Sequence, residues 1–203
     1  MIDKVRQILE QEATAIRNIP VNEDYARVVE LIYERVHQSG GKIIASGMGK
    51  AGHVASHVAT TLSSTGTPSL FLHPSEAQHG DLGVIRENDV LLVLSNSGKT
   101  REIIELVELT HALHPGIPVV IITGNPEGPL AQKSRLVLFT GGPEEVCPLG
   151  LTPTTSATIM AVIGDVLVVL LMERIAFTAQ DYARRHHGGY LGQKSRNHPH
   201  EDT

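Results

Sequence analysis

Apolar residues recur over residues 2–18 and again over 22–38 with the three-and-four spacing of amphipathic helices, separated by Pro20 and stopped by Gly40-Gly41. After that stop the pattern changes. Short apolar runs at 42–46, 69–72, 90–94 and 118–123, with a fifth at 136–139, have the length of strands. Helical patterns separate them, most clearly at 50–63 and 100–114. Strand-helix alternation of this kind implies an α/β fold, with a doubly wound five-stranded parallel sheet, helices on both faces and an N-terminal helical preface. Beyond the sheet, residues 154–175 read as a long apolar helix entered through Thr-Thr-Ser, and 178–185 as a short helix ending before Gly188-Gly189. The polar residues 196–203 are expected to be disordered. With no internal repeat and no linker-like stretch, residues 1–195 are expected to form one domain: 1–40 as the helical preface and 41–192 as the α/β core.

Composition narrows the class. A chain of 203 residues, 41% hydrophobic and 19% charged, has the balance of an ordinary globular domain. At this size folding buries roughly 70% of the unfolded chain's surface, so stability requires neither a disulfide nor a metal. A formal net charge of -5 and the lack of a Lys/Arg stripe argue against nucleic acid as a partner. Cys147 is the sole cysteine, and the charged residues 1–12 do not resemble a signal peptide, so the cytoplasm is the expected compartment. The most apolar stretch, 159–172, is interrupted by Gly164 and Asp165 and falls short of the ~20 residues of a membrane span. It is expected to be a core helix, with no membrane partner.

In an open parallel sheet, ligands collect at the C-terminal ends of strands, where helices begin. Ser95-Asn96-Ser97-Gly98-Lys99-Thr100 occupies such a place. Its hydroxyls, its glycine and the free N–H groups of a helix start suit a phosphate, although one hydroxyl could serve simply as an N-cap. The first strand leaves through Ser46 and Gly47-Met48-Gly49-Lys50-Ala51-Gly52. This is a G-x-G-x-x-G spacing, but no acid stands at the tip of the second strand to hold a ribose, and Glu76 lies inside a loop. A nicotinamide cofactor is therefore disfavoured. Lys50, on a first helical turn, suits an anionic ligand, or is merely solvated. His79 sits in a loop (74–83) crowded with titratable groups. Glu102 would complement a helix dipole whether or not it acts chemically, whereas Glu145 lies in a Pro- and Gly-rich loop and has no such ready explanation. His186 and His187 follow the last helix. His53 and His57 make a helical i, i+4 pair without the acid of an H-E-x-x-H site, so no metal is expected.

Five segments in order, GMGKAGH (47–53), SSTGTPSLFLHPSEAQHGDLG (63–83), SNSGKTREI (95–103), EVCPLGLTPTTS (145–156) and FTAQDYARRHHGGYLG (177–192), resemble the sugar isomerase (SIS) domain of the arabinose-5-phosphate isomerase family. The resemblance implies interconversion of D-ribulose 5-phosphate and D-arabinose 5-phosphate, the step that supplies Kdo for lipopolysaccharide. It further implies a catalytic set of Lys50, Glu102, Glu145 and His186. Ser46, Gly47 and His79 would line the site, with Ser95, Ser97 and Thr100 on the phosphate. Family members commonly carry CBS modules, associate as homotetramers and share sites between subunits. With no such modules before Thr203, regulation would act on the isomerase domain, and inhibition by a downstream nucleotide sugar such as CMP-Kdo is an expectation.

The chain reads His-His-Gly-Gly where the family commonly has His-Pro-Gly-Gly, and Ser-Gly-Lys-Thr where Ser-Gly-Glu-Ser is common, which adds Lys99 near the phosphate. Aldose-ketose isomerisation moves a proton between adjacent carbons through an enediol and needs no redox cofactor. It needs a base, for which Glu145 is preferred over Glu102, and a cation for the enediolate, for which Lys50 is suited. An isomerase of another phosphosugar and a noncatalytic sugar-phosphate sensor are the competing readings.

Overall fold

The computed structural model describes residues 1–196, so the expected tail lies outside the described residues except for Arg196. Its sheet consists of β1 (Ile43–Gly47), β2 (Ser69–Phe71), β3 (Val90–Leu94), β4 (Val119–Thr123) and β5 (Leu136–Phe139). All pairings are parallel, in the order β2-β1-β3-β4-β5. The winding reverses between β1 and β3, whose register sets Gly47 beside Leu94. Connections therefore leave these two strands toward opposite faces, opening a crevice at their C-terminal ends. At the other end of the same pair, Asp89 is buried and accepts from the Lys42 backbone N–H at 2.9 Å, the Lys42 Nζ at 2.7 Å and the Arg86 N–H at 2.7 Å.

Side chains alternate across each strand. Ile43, Ala45, Val90, Leu92, Val120 and Ile122 enter one core with α2 (Asp24–Ile32), α3 (Gly49–Ser64) and α7 (Thr155–Arg174). Ile44, Leu91, Val93, Val119 and Ile121 enter the other, with α4 (Pro74–Ala77), α5 (Arg101–Leu113) and α6 (Pro129–Gln132). The sheet is thus covered on both faces, as the strand-helix alternation requires. The preface is α1 (Ile2–Arg17) and α2, the latter continued by a π-helical turn at Tyr33–Gln38. No residue of α1 is buried, and Ile2, Val5 and Leu9 are exposed.

One expectation about the helices is corrected. The apolar stretch does not stop short of a membrane span: α7 has 20 residues with a mean hydropathy of 2.1, long and apolar enough to cross a membrane by length and composition. Half of this apolar stretch is buried, with Ile159, Ile163, Leu167 and Leu171 stacking at i, i+4 spacing into the core, as expected of a core helix. Gly164 permits the contact with α3, because a Cβ there would stand 2.3 Å from Val58 Cγ2. At the C-terminus the helix expected over 178–185 is present, and a second one, which no pattern announced, comes after it. After α8 (Ala179–Arg185), which opens with a capping box between Thr178 and Asp181, a further helix α9 (Gly189–Arg196) follows. Gly188-Gly189 is thus the joint between two helices, and Gly189 takes a left-handed φ of +73° there. The short α4 and α6 each start with proline in the first turn and span too few residues for any periodicity to reveal them.

Candidate active site at the switch point

Three helices begin around the crevice: α3 after β1, α5 after β3, and α7 after the loop that follows β5. Each N-terminus offers N–H groups without intrahelical partners and the positive end of a helix dipole. Between them lies a cavity of about 580 Å³ lined by Lys50, Ser95, Ser97, Thr100, Glu145 and Ser156, among others.

The glycines leaving β1 make a tight strand-to-helix turn. A Cβ at Gly47 would stand 2.8 Å from the Ala51 carbonyl oxygen, one at Gly52 would stand 2.6 Å from that of Gly47, and Gly49 has φ +57°. This close approach accounts for the G-x-G-x-x-G spacing by packing alone and places the exposed Lys50 on the first turn of α3, at the cavity. Ser46 takes a different part from the one the family resemblance implies. It is fully buried, and its hydroxyl donates to the Leu72 carbonyl at 2.7 Å, tying the exit of β1 to that of β2. Neither it nor Gly47 is in the lining.

After β3, the hydroxyls of Ser95 and Thr100 bond each other at 2.9 Å, and Ser97 Oγ accepts from the Lys99 N–H at 3.2 Å. Thr100 occupies the N-cap position of α5, yet its side chain makes no capping hydrogen bond among the described residues. The capping alternative is thereby answered, and the first-turn N–H groups remain open to an anion. The loop is braced from β4, where Asn125 Nδ2 donates to the Ser97 carbonyl at 3.0 Å and the Gly124 N–H to that of Asn96 at 3.0 Å. Sequence reasoning missed this brace, since a Gly-Asn turn carries no signal beyond that of a turn. Lys99 is exposed and outside the lining, which leaves Lys50 as the cation at the cavity among the described residues.

The third N-terminus is occupied by Glu145. Its Oε2 accepts from the Thr154 N–H at 2.7 Å, the Thr154 hydroxyl at 3.0 Å and the Ser156 N–H at 3.2 Å, while Oε1 accepts from the Ser156 hydroxyl. Burial pushes this carboxyl up, but the four hydrogen bonds outweigh it and hold Glu145 below the usual carboxylate range. It is therefore ionised at neutral pH, with Oε1 the less encumbered oxygen. Cys147, two residues on, is likewise perturbed. Hydrogen bonds from the Thr152 hydroxyl, then from the backbone N–H groups of Thr152, Leu151 and Leu149, bring its thiol down to about 6.

The remaining predicted residues do not join this lining. Glu102 is half-buried in the first turn of α5 and makes no side-chain hydrogen bond among the described residues. His79 is exposed, beside Gln78, whose amide donates to Glu105 of α5 at 2.9 Å. His186 stacks on Tyr182 with ring centroids 3.7 Å apart, and its Nδ1 lies 3.0 Å from the Tyr182 carbonyl, whereas His187 is exposed. Both lie past the C-terminus of α7, a helix about 30 Å long at 1.5 Å per residue. Arg185 covers the Phe177 ring, and Phe177 packs on Gly66 beyond the C-terminal end of α3. The histidines therefore stand at the opposite end of this helix layer from Lys50 and Glu145. His53 and His57 are exposed on α3, with His57 3.9 Å from Asp165.

Comparison with known proteins agrees with this architecture. The SIS domain family matches residues 36–170. The arabinose 5-phosphate isomerase KdsD of Pseudomonas aeruginosa is 45% identical over 186 residues, 92% of this chain and 55% of that protein, so the chain spans about half the length of the curated relatives it matches. A crystal structure of a candidate phosphosugar isomerase involved in capsule formation, from Bacteroides fragilis NCTC 9343, is 59% identical. It covers 94% of this chain and 99% of its own with a TM-score of 0.92. An Escherichia coli CFT073 protein solved in complex with arabinose 5-phosphate is 31% identical, covers 90% of this chain and 95% of its own, and has a TM-score of 0.83.

Proposed function

The chain belongs to the SIS domain family, and from that premise we propose that it is an aldose-ketose isomerase interconverting D-ribulose 5-phosphate and D-arabinose 5-phosphate, in the cytoplasmic supply of Kdo for lipopolysaccharide. The observation that carries this reading is that a lysine, an ionised glutamate and an uncapped helix N-terminus meet in one cavity at the switch point. The relatives named arabinose 5-phosphate isomerase, and the neighbour that holds arabinose 5-phosphate itself, support the choice of sugar.

In this mechanism the phosphate rests on the hydroxyls of Ser95, Ser97 and Thr100 and the N–H groups at the start of α5, supplying binding energy far from the reacting carbons. Glu145 Oε1 removes the proton α to the carbonyl and returns it to the neighbouring carbon. Lys50 stabilises the enediolate between these steps. Glu102, in the first turn of α5 and outside the cavity lining, joins the catalytic set on the family resemblance alone. His186, on the far side of its own chain, reaches a site only from a second copy, where it assists ring opening. The apolar face of α1, left exposed at Ile2, Val5 and Leu9, supports a homotetramer that would bring the copies together. Regulation, in the same reading, acts on this cavity through a downstream nucleotide sugar such as CMP-Kdo. Unchanged rates with that compound added would exclude it.

The test is a coupled assay of the purified protein on D-arabinose 5-phosphate and, separately, on other pentose and hexose phosphates, with Glu145→Gln alongside. Formation of ribulose 5-phosphate from the arabinose compound alone, with kcat falling far more than KM changes in the variant, is the expected result. Turnover of another sugar phosphate would move the reaction to another pathway. Binding without turnover of any would leave a sensor.

A further inference from the structure

We propose that Glu12, on the otherwise unburied α1, is a positioning residue that holds Glu145 in its working orientation; this rests on the reading of Glu145 as the carbon base. The two glutamates do not touch. Glu12 Oε1 accepts from the Thr155 hydroxyl at 3.0 Å, and Thr155 Oγ1 in turn accepts from the Val146 N–H at 3.1 Å. Thr155 is 1% exposed and lies between Thr154 and Ser156, the two residues that clasp Glu145, while Val146 is the residue that follows Glu145. The line from Glu12 through Thr155 to Val146 thus fixes the loop from behind while the clasp fixes the carboxylate from in front.

The chemistry of the three groups gives this line a direction. A hydroxyl has one proton, and a carboxylate can only accept. Glu12 therefore draws the Thr155 proton toward α1 and leaves a Thr155 lone pair to receive the Val146 N–H. Glu12 Oε2 is buried and has no hydrogen-bond partner among the described residues. A buried oxygen in that state is destabilising, a cost that a positioning role for Glu12 would account for. None of the residues that line the cavity reveals the link, because 143 residues separate Glu12 from Thr155 and neither is itself in the lining.

The experiment compares kcat, KM and pH profiles on D-arabinose 5-phosphate for the wild type, Glu12→Ala, Glu12→Gln, Thr155→Val and Glu12→Ala/Thr155→Val, with urea midpoints measured for each. Glu145→Gln is run first. If it turns over normally, the base assignment fails and this proposal falls with it, visibly for that reason. With the base established, Glu12→Ala is expected to lose on the order of 10- to 100-fold in kcat, the scale of a small misplacement at a reacting centre, with KM within about threefold. Glu12→Gln, whose carbonyl can still accept from Thr155, is expected to recover most of that loss. The double variant should be no worse than Thr155→Val alone, since both changes break one line. Wild-type kcat in Glu12→Ala, or losses that multiply in the double variant, would overturn the proposal. If Glu12→Ala does not fold, unchanged kcat in Thr155→Val overturns it equally.

Discussion

Removing the Ser156 hydroxyl tests the electrostatics of the clasp. Ser156→Ala deletes the donor to Glu145 Oε1 and leaves the backbone donors of Thr154 and Ser156 in place. A hydrogen bond to a charged group contributes about 1.5–3 kcal/mol. At 1.36 kcal/mol per pKa unit, and with Glu145 partly open to the cavity, the lower part of that range applies, so the acidic limb of kcat/KM is expected to move up by about one pH unit. Stability follows the same sign. Because the folded carboxyl is held below its unfolded value, it contributes stability that is present above the unfolded pKa and lost as pH falls through the folded one. The variant should lose part of its neutral-pH stability and show a weaker dependence on acid. The assay is kcat/KM against pH for both proteins, with urea midpoints at neutral and acidic pH. Superimposable acidic limbs would refute the reasoning, because they would mean that the hydroxyl does not favour the ionised form.

Two further outcomes are expected. Gly164→Ala should destabilise by about 1–3 kcal/mol, because its Cβ would lie 2.3 Å from Val58 Cγ2, and the urea midpoint should fall without a change in m; Val58→Ala in the same chain should restore much of the loss. Iodoacetamide labelling of Cys147 should reach half its maximal rate near pH 6, and Thr152→Val should move that midpoint up toward an ordinary thiol, an unmoved midpoint arguing against the Thr152 hydrogen bond as cause.

Local pattern was enough to determine much of this protein. Strand runs and helical periodicities are properties of neighbouring residues, so β3 and β5 were legible to the residue and the doubly wound class followed from their alternation. The same holds for part of the site: a loop that leaves a strand and opens a helix must lie at the sheet's C-terminal edge, which placed Lys50 and Ser95 to Thr100 before any coordinates. Other features arise only where distant segments meet. Ser46 reads as a site hydroxyl at the tip of the first strand until the Leu72 carbonyl, just past β2, accepts its hydrogen bond. Glu145 reads as a loop carboxylate until the start of α7 folds over it, and no local pattern marks Glu12 until Thr155 meets it. His186 lies in the last of the motifs that carry the family resemblance, yet the length of α7 carries it away from the cavity of its own chain. Sequence determined the strands, the longer helices and the edge at which chemistry gathers, because these depend on short-range periodicity, which α4, α6 and α9 are too short or too polar to show. Tertiary structure decided which side chains are braces, which are clasped and which stand away from the cavity, because a hydrogen bond is settled only by which donors and acceptors the packed chain brings within about 3 Å.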